Sequence, residues 1–211
     1  MFNVCYSCGE YSVDKTVDPQ GPVAVCPHCG HRHPFRYLPL FMVGGASGTG
    51  KSVICQQLIA WDLPVVLLDS DILWRPEFNK PEESYRAYFE TWLRMCKNIG
   101  QSGRPVVLFG AGSGVPTNIE PCLESRYFSA IHYLALVCDD DVLAGRLRAR
   151  PQWRQSRGDA FVACQQSFNR WVREDGPRLA PPISFIDTTR QTPEVTSHAV
   201  MEWIVNRVPA R

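Results

Sequence analysis

Net charge is nearly absent from this 211-residue chain: 22 Lys and Arg stand against 21 Asp and Glu, leaving +1. A surface so balanced has no general pull on polyanions, so neither bulk nucleic acid nor an anionic membrane is an expected partner. Long apolar runs are also missing, and none approaches the length that crosses a bilayer. The opening residues, Met1-Phe2-Asn3-Val4-Cys5, show no charged leader ahead of an apolar stretch, so no signal peptide is expected. Internal repeats and low-complexity tracts are lacking as well. Hydrophobic residues make up 45% and charged residues 20%, as in an ordinary globular domain able to bury a core unaided. The length predicts one such domain plus a small appendage.

Cysteine, by contrast, is plentiful. Of the nine, four form two C-x-x-C pairs, Cys5/Cys8 and Cys26/Cys29, and five lie scattered in apolar segments. That division fits a reducing, cytoplasmic setting with one metal site better than a disulfide framework. Each pair presents two thiolates on one side of a turn, and four thiolates complete a tetrahedron around zinc. Such a site is closed, hence structural. Gly9 and Gly30 follow the pairs, where the turn calls for positive φ. The intervening stretch, with Pro19-Gln20-Gly21-Pro22, predicts a short hairpin. Residues 1–36 therefore read as a zinc ribbon and 37–211 as the main body. His28, His31 and His33 are spare ligands ranked below the cysteines. Cys55, Cys96, Cys122, Cys138 and Cys164 read as core packing. His132 and His198 read as structural or exposed. The ribbon's role stays open between docking on the body, homodimerisation and contact with a partner.

The body alternates strands and helices. Strands are predicted over 38–43, 64–69, 105–109, 131–137 and 183–186, and helices over 51–61, 82–99, 142–149, 159–174 and 193–207. The helical stripes are Ile54 and Leu58; Tyr85, Phe89, Trp92 and Cys96; Phe161, Cys164, Phe168 and Trp171; and Val195, Ala199 and Trp203. Asp139-Asp140-Asp141 can cap and charge a helix start. Near-continuous apolar strands between amphipathic helices predict an α/β fold, a parallel sheet covered on both faces.

Between the first strand and first helix lies Gly45-Ala46-Ser47-Gly48-Thr49-Gly50-Lys51-Ser52, which meets the Walker A pattern at every defined position. Gly45, Gly48 and Gly50 let the backbone curl, so that amides of Ser47, Thr49 and their neighbours can point at the phosphates of ATP. The helix start adds its positive end. Lys51 is placed to reach the terminal phosphates and Ser52 to hold Mg²⁺.

The second strand ends at Asp69-Ser70-Asp71, on the rim where open parallel sheets bind ligands. In extended geometry these two acids share a face. One can deprotonate an acceptor hydroxyl while the other holds Mg²⁺ through water; alternatively Asp71 only caps the next turn. The third strand ends at Gly110, where many P-loop ATPases carry a Walker B aspartate, so the acid must come from Asp69 or Asp71. Gly110-Ala111-Gly112-Ser113-Gly114 reads either as bare backbone for a close substrate or as a plain flexible loop. Five arginines fall within residues 146–157: Arg146, Arg148, Arg150, Arg154 and Arg157. Arg146 and Arg150 share a helical face, Pro151 stops the helix, and a lid over about 146–160 can bring guanidinium groups to the charge that builds during phosphoryl transfer. A solvated basic surface is the competing reading. Trp153 reads as a hinge packer or a ligand contact. Asp187 and Thr189, after the fifth strand, lie either near the nucleotide base or in a cap-like turn.

With these motifs in place, residues 38–208 resemble the small P-loop kinases of the nucleoside and nucleotide kinase superfamily. That superfamily includes adenylate, shikimate and gluconate kinases and chloramphenicol phosphotransferase. The resemblance rests on Gly45–Ser52, Asp69-Ser70-Asp71, Arg146–Arg150 and Ile186-Asp187-Thr188-Thr189. It implies a three-layer fold with five parallel strands in the order 2-3-1-4-5. It also implies that Arg146 stacks on adenine and that Arg150 with Arg154 or Arg157 binds phosphates. The ribbon departs from the well-known members and is similar to a zinc-ribbon-bearing nucleoside kinase-like group. The chain has no obvious separate insertion for binding a nucleoside monophosphate, although 82–99 can line an acceptor pocket.

The expected function is transfer of the γ-phosphoryl of ATP to a hydroxyl of a small molecule, with a nucleoside favoured over a nucleotide or similar metabolite. The alternatives are an antibiotic O-phosphotransferase, a P-loop NTPase switch with a partner-binding ribbon, and a module that binds nucleotide without turnover. A switch calls for Glu or Gln near the third strand to position water, and none stands there.

Overall fold

The computed structural model describes residues 3–110 and 114–209. Ala111, Gly112 and Ser113 of the glycine-rich rim lie outside them. The N-terminal part is a three-stranded antiparallel sheet of β1 (Thr16–Asp18), β2 (Val23–Val25) and β3 (Arg32–Pro34). The hairpin expected at Pro19–Pro22 joins β1 to β2, with Thr16 opposite Val25.

The body is a five-stranded parallel sheet of β4 (Leu40–Gly44), β5 (Val66–Asp69), β6 (Val106–Phe109), β7 (Ile131–Val137) and β8 (Ile183–Asp187). Its order is β5-β6-β4-β7-β8, the expected 2-3-1-4-5. Both faces are covered, which is why the strands are apolar throughout. Leu40, Met42, Val106 and Leu108 pack with Tyr88, Phe89, Trp92 and Cys96 of α2 (Arg86–Gly100). Phe41, Val43, Val107 and Phe109 turn to the other face, against α1 (Lys51–Ile59) and α6 (Pro193–Val205). A short α3 (Pro116–Ile119), α4 (Asp140–Arg148) and α5 (Asp159–Glu174) complete the body.

Several expectations are corrected. α2 begins at Arg86 because Ser84 and Tyr85 adopt positive φ, 53° and 54°, which breaks the helix predicted from residue 82. In α5 the fully buried positions are Val162, Asn169 and Val172. Of the expected stripe, Phe168 and Trp171 pack against the core, while Phe161 and Cys164 are exposed. In α6, Thr196, Ser197, Val200 and Ile204 are buried, while Val195 is exposed. Asp139 does sit at the start of α4, but its side chain makes no capping bond and pairs with Arg173 instead. His132 stacks on Phe41, and His198 lies against Trp61.

The ribbon docks on the body. Lys97 and Glu124, both wholly buried, pair at 2.5 Å, and Lys97 also donates to Asn3 Oδ1 at 2.5 Å. Asn3 Nδ2 donates to Glu124 Oε1 at 3.2 Å, and Arg94 adds a bond to the same oxygen at 2.9 Å. The Tyr127 hydroxyl donates to the Val13 carbonyl and accepts from the Lys15 amide. A buried charge persists only when its hydrogen bonds are met, so α2 and the 123–127 turn are built to hold the ribbon. Among the described residues no helix is long and apolar enough to cross a membrane.

Candidate active site

The phosphate loop leaves β4 at Gly44 and enters α1 at Lys51. Gly45 has φ +123°, and a Cβ there would meet the Leu136 carbonyl oxygen at 2.3 Å. Glycine is therefore what lets the loop lie against β7. Four side-chain hydrogen bonds hold its shape. Thr49 Oγ1 donates to the Ala46 carbonyl at 2.9 Å, the Ser47 amide donates to Gln165 Oε1 of α5 at 2.7 Å, and Lys51 Nζ donates to the carbonyls of Gly45 and Ala46 at 2.7 and 2.8 Å. Burial, and then the charge of Arg150, lowers Lys51 to about 8, with Asp71 and Asp69 pulling the other way.

One cavity of about 410 Å³ spreads from this loop. It is lined by Ser47, Gly48, Thr49, Gly50, Lys51 and Ser52 of the loop, by Asp69, Asp71 and Gly110, by Arg146, Arg150 and Arg154, and by Thr188, Gln191, Pro193 and Thr196. Lys51 and three arginines thus share one cavity with two carboxylates.

The acids do not share a face of an extended strand. β5 ends at Asp69, and Ser70–Leu73 is a 3-10 turn. The cap of that turn is Asp69, whose Oδ1 accepts the Asp71 amide at 2.9 Å, and not Asp71. The turn nevertheless brings both acids to the cavity. Burial, then the neighbouring Asp69 charge, raises the Asp71 carboxyl above its ordinary value, while Lys51 and Arg154 oppose that rise. Steric room explains the missing acid on β6: a Cβ on Gly110 would lie 2.6 Å from Ser70 Oγ. The space a Walker B side chain needs is taken by the residue between the two acids.

The arginine segment separates by position. Arg146 Nη1 and Nη2 donate to the Thr188 hydroxyl at 3.0 Å and the Thr188 carbonyl at 2.8 Å. Arg150 and Arg154 line the cavity, and Arg154 also lies over the exposed Trp153 ring, 5.1 Å from its centroid. Arg157 does not line it; its Nε donates to the Arg150 carbonyl at 2.7 Å. Arg148 pairs outward with Asp159. Asp187 and Thr189 do not line the cavity either. Asp187 Oδ1 accepts from both the amide and the hydroxyl of Thr189, so the cap-like turn is the arrangement found. Burial would raise the Asp187 carboxyl, but the two Thr189 hydrogen bonds together with the charges of Arg173 and Arg146 lower it.

Sequence reasoning missed Gln165, Thr188, Gln191, Pro193 and Thr196. Thr188 stood inside a motif already noted. Gln165 had no signal at all, because nothing in its spacing links it to a loop more than a hundred residues earlier.

In the ribbon, the sulfurs of Cys5, Cys8, Cys26 and Cys29 all lie within 4.8 Å of one another. Cys5 is 3.6 Å from Cys29, and Cys8 is 3.9 Å from Cys26. Tetrahedral zinc with Zn–S bonds of about 2.3 Å needs sulfurs about 3.8 Å apart, so the group fits the ion. Gly9 and Gly30 have φ 78° and 72°, and each amide closes a turn onto the carbonyl of Cys5 or Cys26. Among the described residues no histidine joins this group.

No family model matches the chain, and neither does any curated protein sequence. Solved structures do. A gluconokinase from Sinorhizobium meliloti 1021 aligns at 18% identity over 81% of this chain and 94% of its own, with TM-score 0.56. The tunicamycin resistance protein of Deinococcus radiodurans aligns at 14% identity over 80% and 96%, with TM-score 0.58. A shikimate kinase from Acinetobacter baumannii, in complex with shikimate, aligns at 20% identity over 80% and 94%, with TM-score 0.51. The body has the fold these proteins share, that of the small P-loop kinases.

Proposed function

We propose that this chain, built on the small P-loop kinase fold, transfers the γ-phosphoryl group of ATP to a hydroxyl of a small polyhydroxylated metabolite. The observation that carries the proposal is the single cavity in which Lys51, Arg150 and Arg154 face Asp69 and Asp71. Fold alone does not set activity, so the argument rests on that grouping.

The main-chain amides of the loop and Lys51 grip the β- and γ-phosphates. Arg146 packs on the base, and Arg150 and Arg154 meet the negative charge on the transferring group. The acceptor oxygen forms a bond to the γ-phosphorus as the bond to the β–γ bridging oxygen breaks. The acceptor proton passes to Asp71. We assign Asp71 rather than Asp69 as base because its carboxyl is raised, while one oxygen of Asp69 already caps the turn. Ser52 and Asp69 offer the hard oxygen donors that would suit magnesium, which when bound would neutralise phosphate charge. Arg157 can join only by releasing the Arg150 carbonyl.

Nucleosides, the acceptors favoured from sequence, gain no support from solved neighbours that include gluconate and shikimate kinases. The tunicamycin resistance neighbour supports keeping antibiotics as a second acceptor class. The test is a screen of sugars, sugar acids, cyclic polyols, nucleosides and antibiotics for acceptor-dependent ADP release. With the acceptor found, Asp71→Asn is expected to lower turnover by about 10²-fold or more. Full turnover in that variant overturns the role of Asp71. Steady ATP hydrolysis indifferent to every acceptor favours a switch.

A further inference from the structure

Arg146 is useful to a bound base only if its guanidinium is held in one plane, and one buried side chain is placed to hold it. Thr188 lies just past β8, is 4% exposed and lines the cavity. Its hydroxyl has three polar partners. It accepts from Arg146 Nη1 at 3.0 Å, and its single proton has two acceptors within reach, the Val137 carbonyl at 3.0 Å and the Thr49 carbonyl at 3.3 Å. The backbone of Thr188 is fixed separately, since its amide donates to the Val137 carbonyl at 2.8 Å and its carbonyl accepts from Arg146 Nη2 at 2.8 Å.

From this geometry we propose that Thr188 is a positioning residue for nucleotide recognition. Its hydroxyl sets the plane of Arg146 and registers that plane against Thr49 of the phosphate loop. The inference rests on the nucleotide reading of the cavity, and adds a residue that acts through Arg146. The two Arg146 bonds use one edge of the guanidinium, which leaves its face for stacking. The link to Thr49 ties that face to the loop that holds the phosphates. Base and phosphates of one ligand are thereby recognised at a fixed separation. A well-placed buried hydroxyl of this kind is worth about tenfold in affinity.

The variants to compare are Thr188→Val, which keeps shape and backbone bonds, Thr188→Ser, which keeps the hydroxyl, and Arg146→Ala with and without the valine. Calorimetric titration with ADP and with inorganic tripolyphosphate is the readout. Thr188→Val is expected to weaken ADP about tenfold and tripolyphosphate less than twofold. Thr188→Ser should restore ADP binding to within about twofold of the parent, and the valine should add nothing once Arg146 is alanine. Thr188→Ala gives the same comparison should the valine variant fail to fold. Unchanged ADP affinity in Thr188→Val, or an undiminished effect in the Arg146→Ala background, overturns the role of Thr188 and leaves the nucleotide site standing. A parent protein that binds neither probe overturns both.

Discussion

In the proposed reading phosphate binding turns on Lys51, and its surroundings give it a pH signature. It is half-buried, Arg150 stands near it, and together these lower it to about 8. Only the ammonium attracts phosphate. The group is charged below its pKa, so nucleotide affinity should be flat up to about pH 7 and fall as pH passes through 8. An ordinary lysine would hold its charge to about 10. Titration of ADP from pH 6.5 to 9.5 checks this, and affinity constant to pH 9.5 would show an unshifted lysine. Bound phosphate raises the group again, so the fall belongs to the free protein and appears in kcat/KM before kcat. Gly110 carries the complementary lesson. Its lack of a side chain looked like a missing catalytic acid in sequence, yet the Ser70 hydroxyl fills that space and the acids stand on either side of Ser70.

Among the elements, α2 connects ribbon and active site. Its last turn holds Lys97, paired to Glu124 and Asn3, and its first turn holds Tyr88, whose hydroxyl donates to the Ser70 carbonyl at 2.7 Å. The ribbon is thus braced against the helix that supports the Asp69–Asp71 turn. Purified protein is expected to carry about one equivalent of zinc, and chelation should expose four thiols to a thiol reagent and lower the melting temperature. Five reactive thiols in untreated, metal-free protein, the four of the ribbon and the exposed Cys164, with an unchanged melting temperature would contradict a structural zinc site. Most elements were legible in sequence, because Leu40–Gly44 and Ile131–Val137 are apolar on both faces and flanked by amphipathic segments. Though Phe168, Trp171 and Trp203 do pack on the core, the faces of α5 and α6 were legible only in part. Their buried positions include Asn169, which bonds both the amide and the carbonyl of Cys138, and Ser197, which donates to Gln57. A hydrophobic stripe cannot register a buried position filled by a satisfied polar group. The start of α2 was missed for a backbone reason, the two left-handed residues ahead of it, which side-chain periodicity does not encode.

For the whole molecule, the parallel order β5-β6-β4-β7-β8 gathers distant segments at one rim. The phosphate loop follows β4, the acids follow β5, Gly110 follows β6, and Thr188 follows β8. Local pattern revealed the loop, the acids and the arginines, since each forms a contiguous motif. It could not reveal that Gln165 grips Ser47, or that Arg146 meets Thr188, because those contacts exist only once α5 and β8 are packed. What joins all of them is the claim that residues 45–52 hold the phosphates of a nucleoside triphosphate. Calorimetry with Mg·ATP on the intact zinc-loaded protein tests it most directly, with Lys51→Ala alongside. Saturable binding with a Kd below about 1 mM, lost by tenfold or more in Lys51→Ala, is the predicted result. No binding by the folded parent, or equal binding by both proteins, would contradict it.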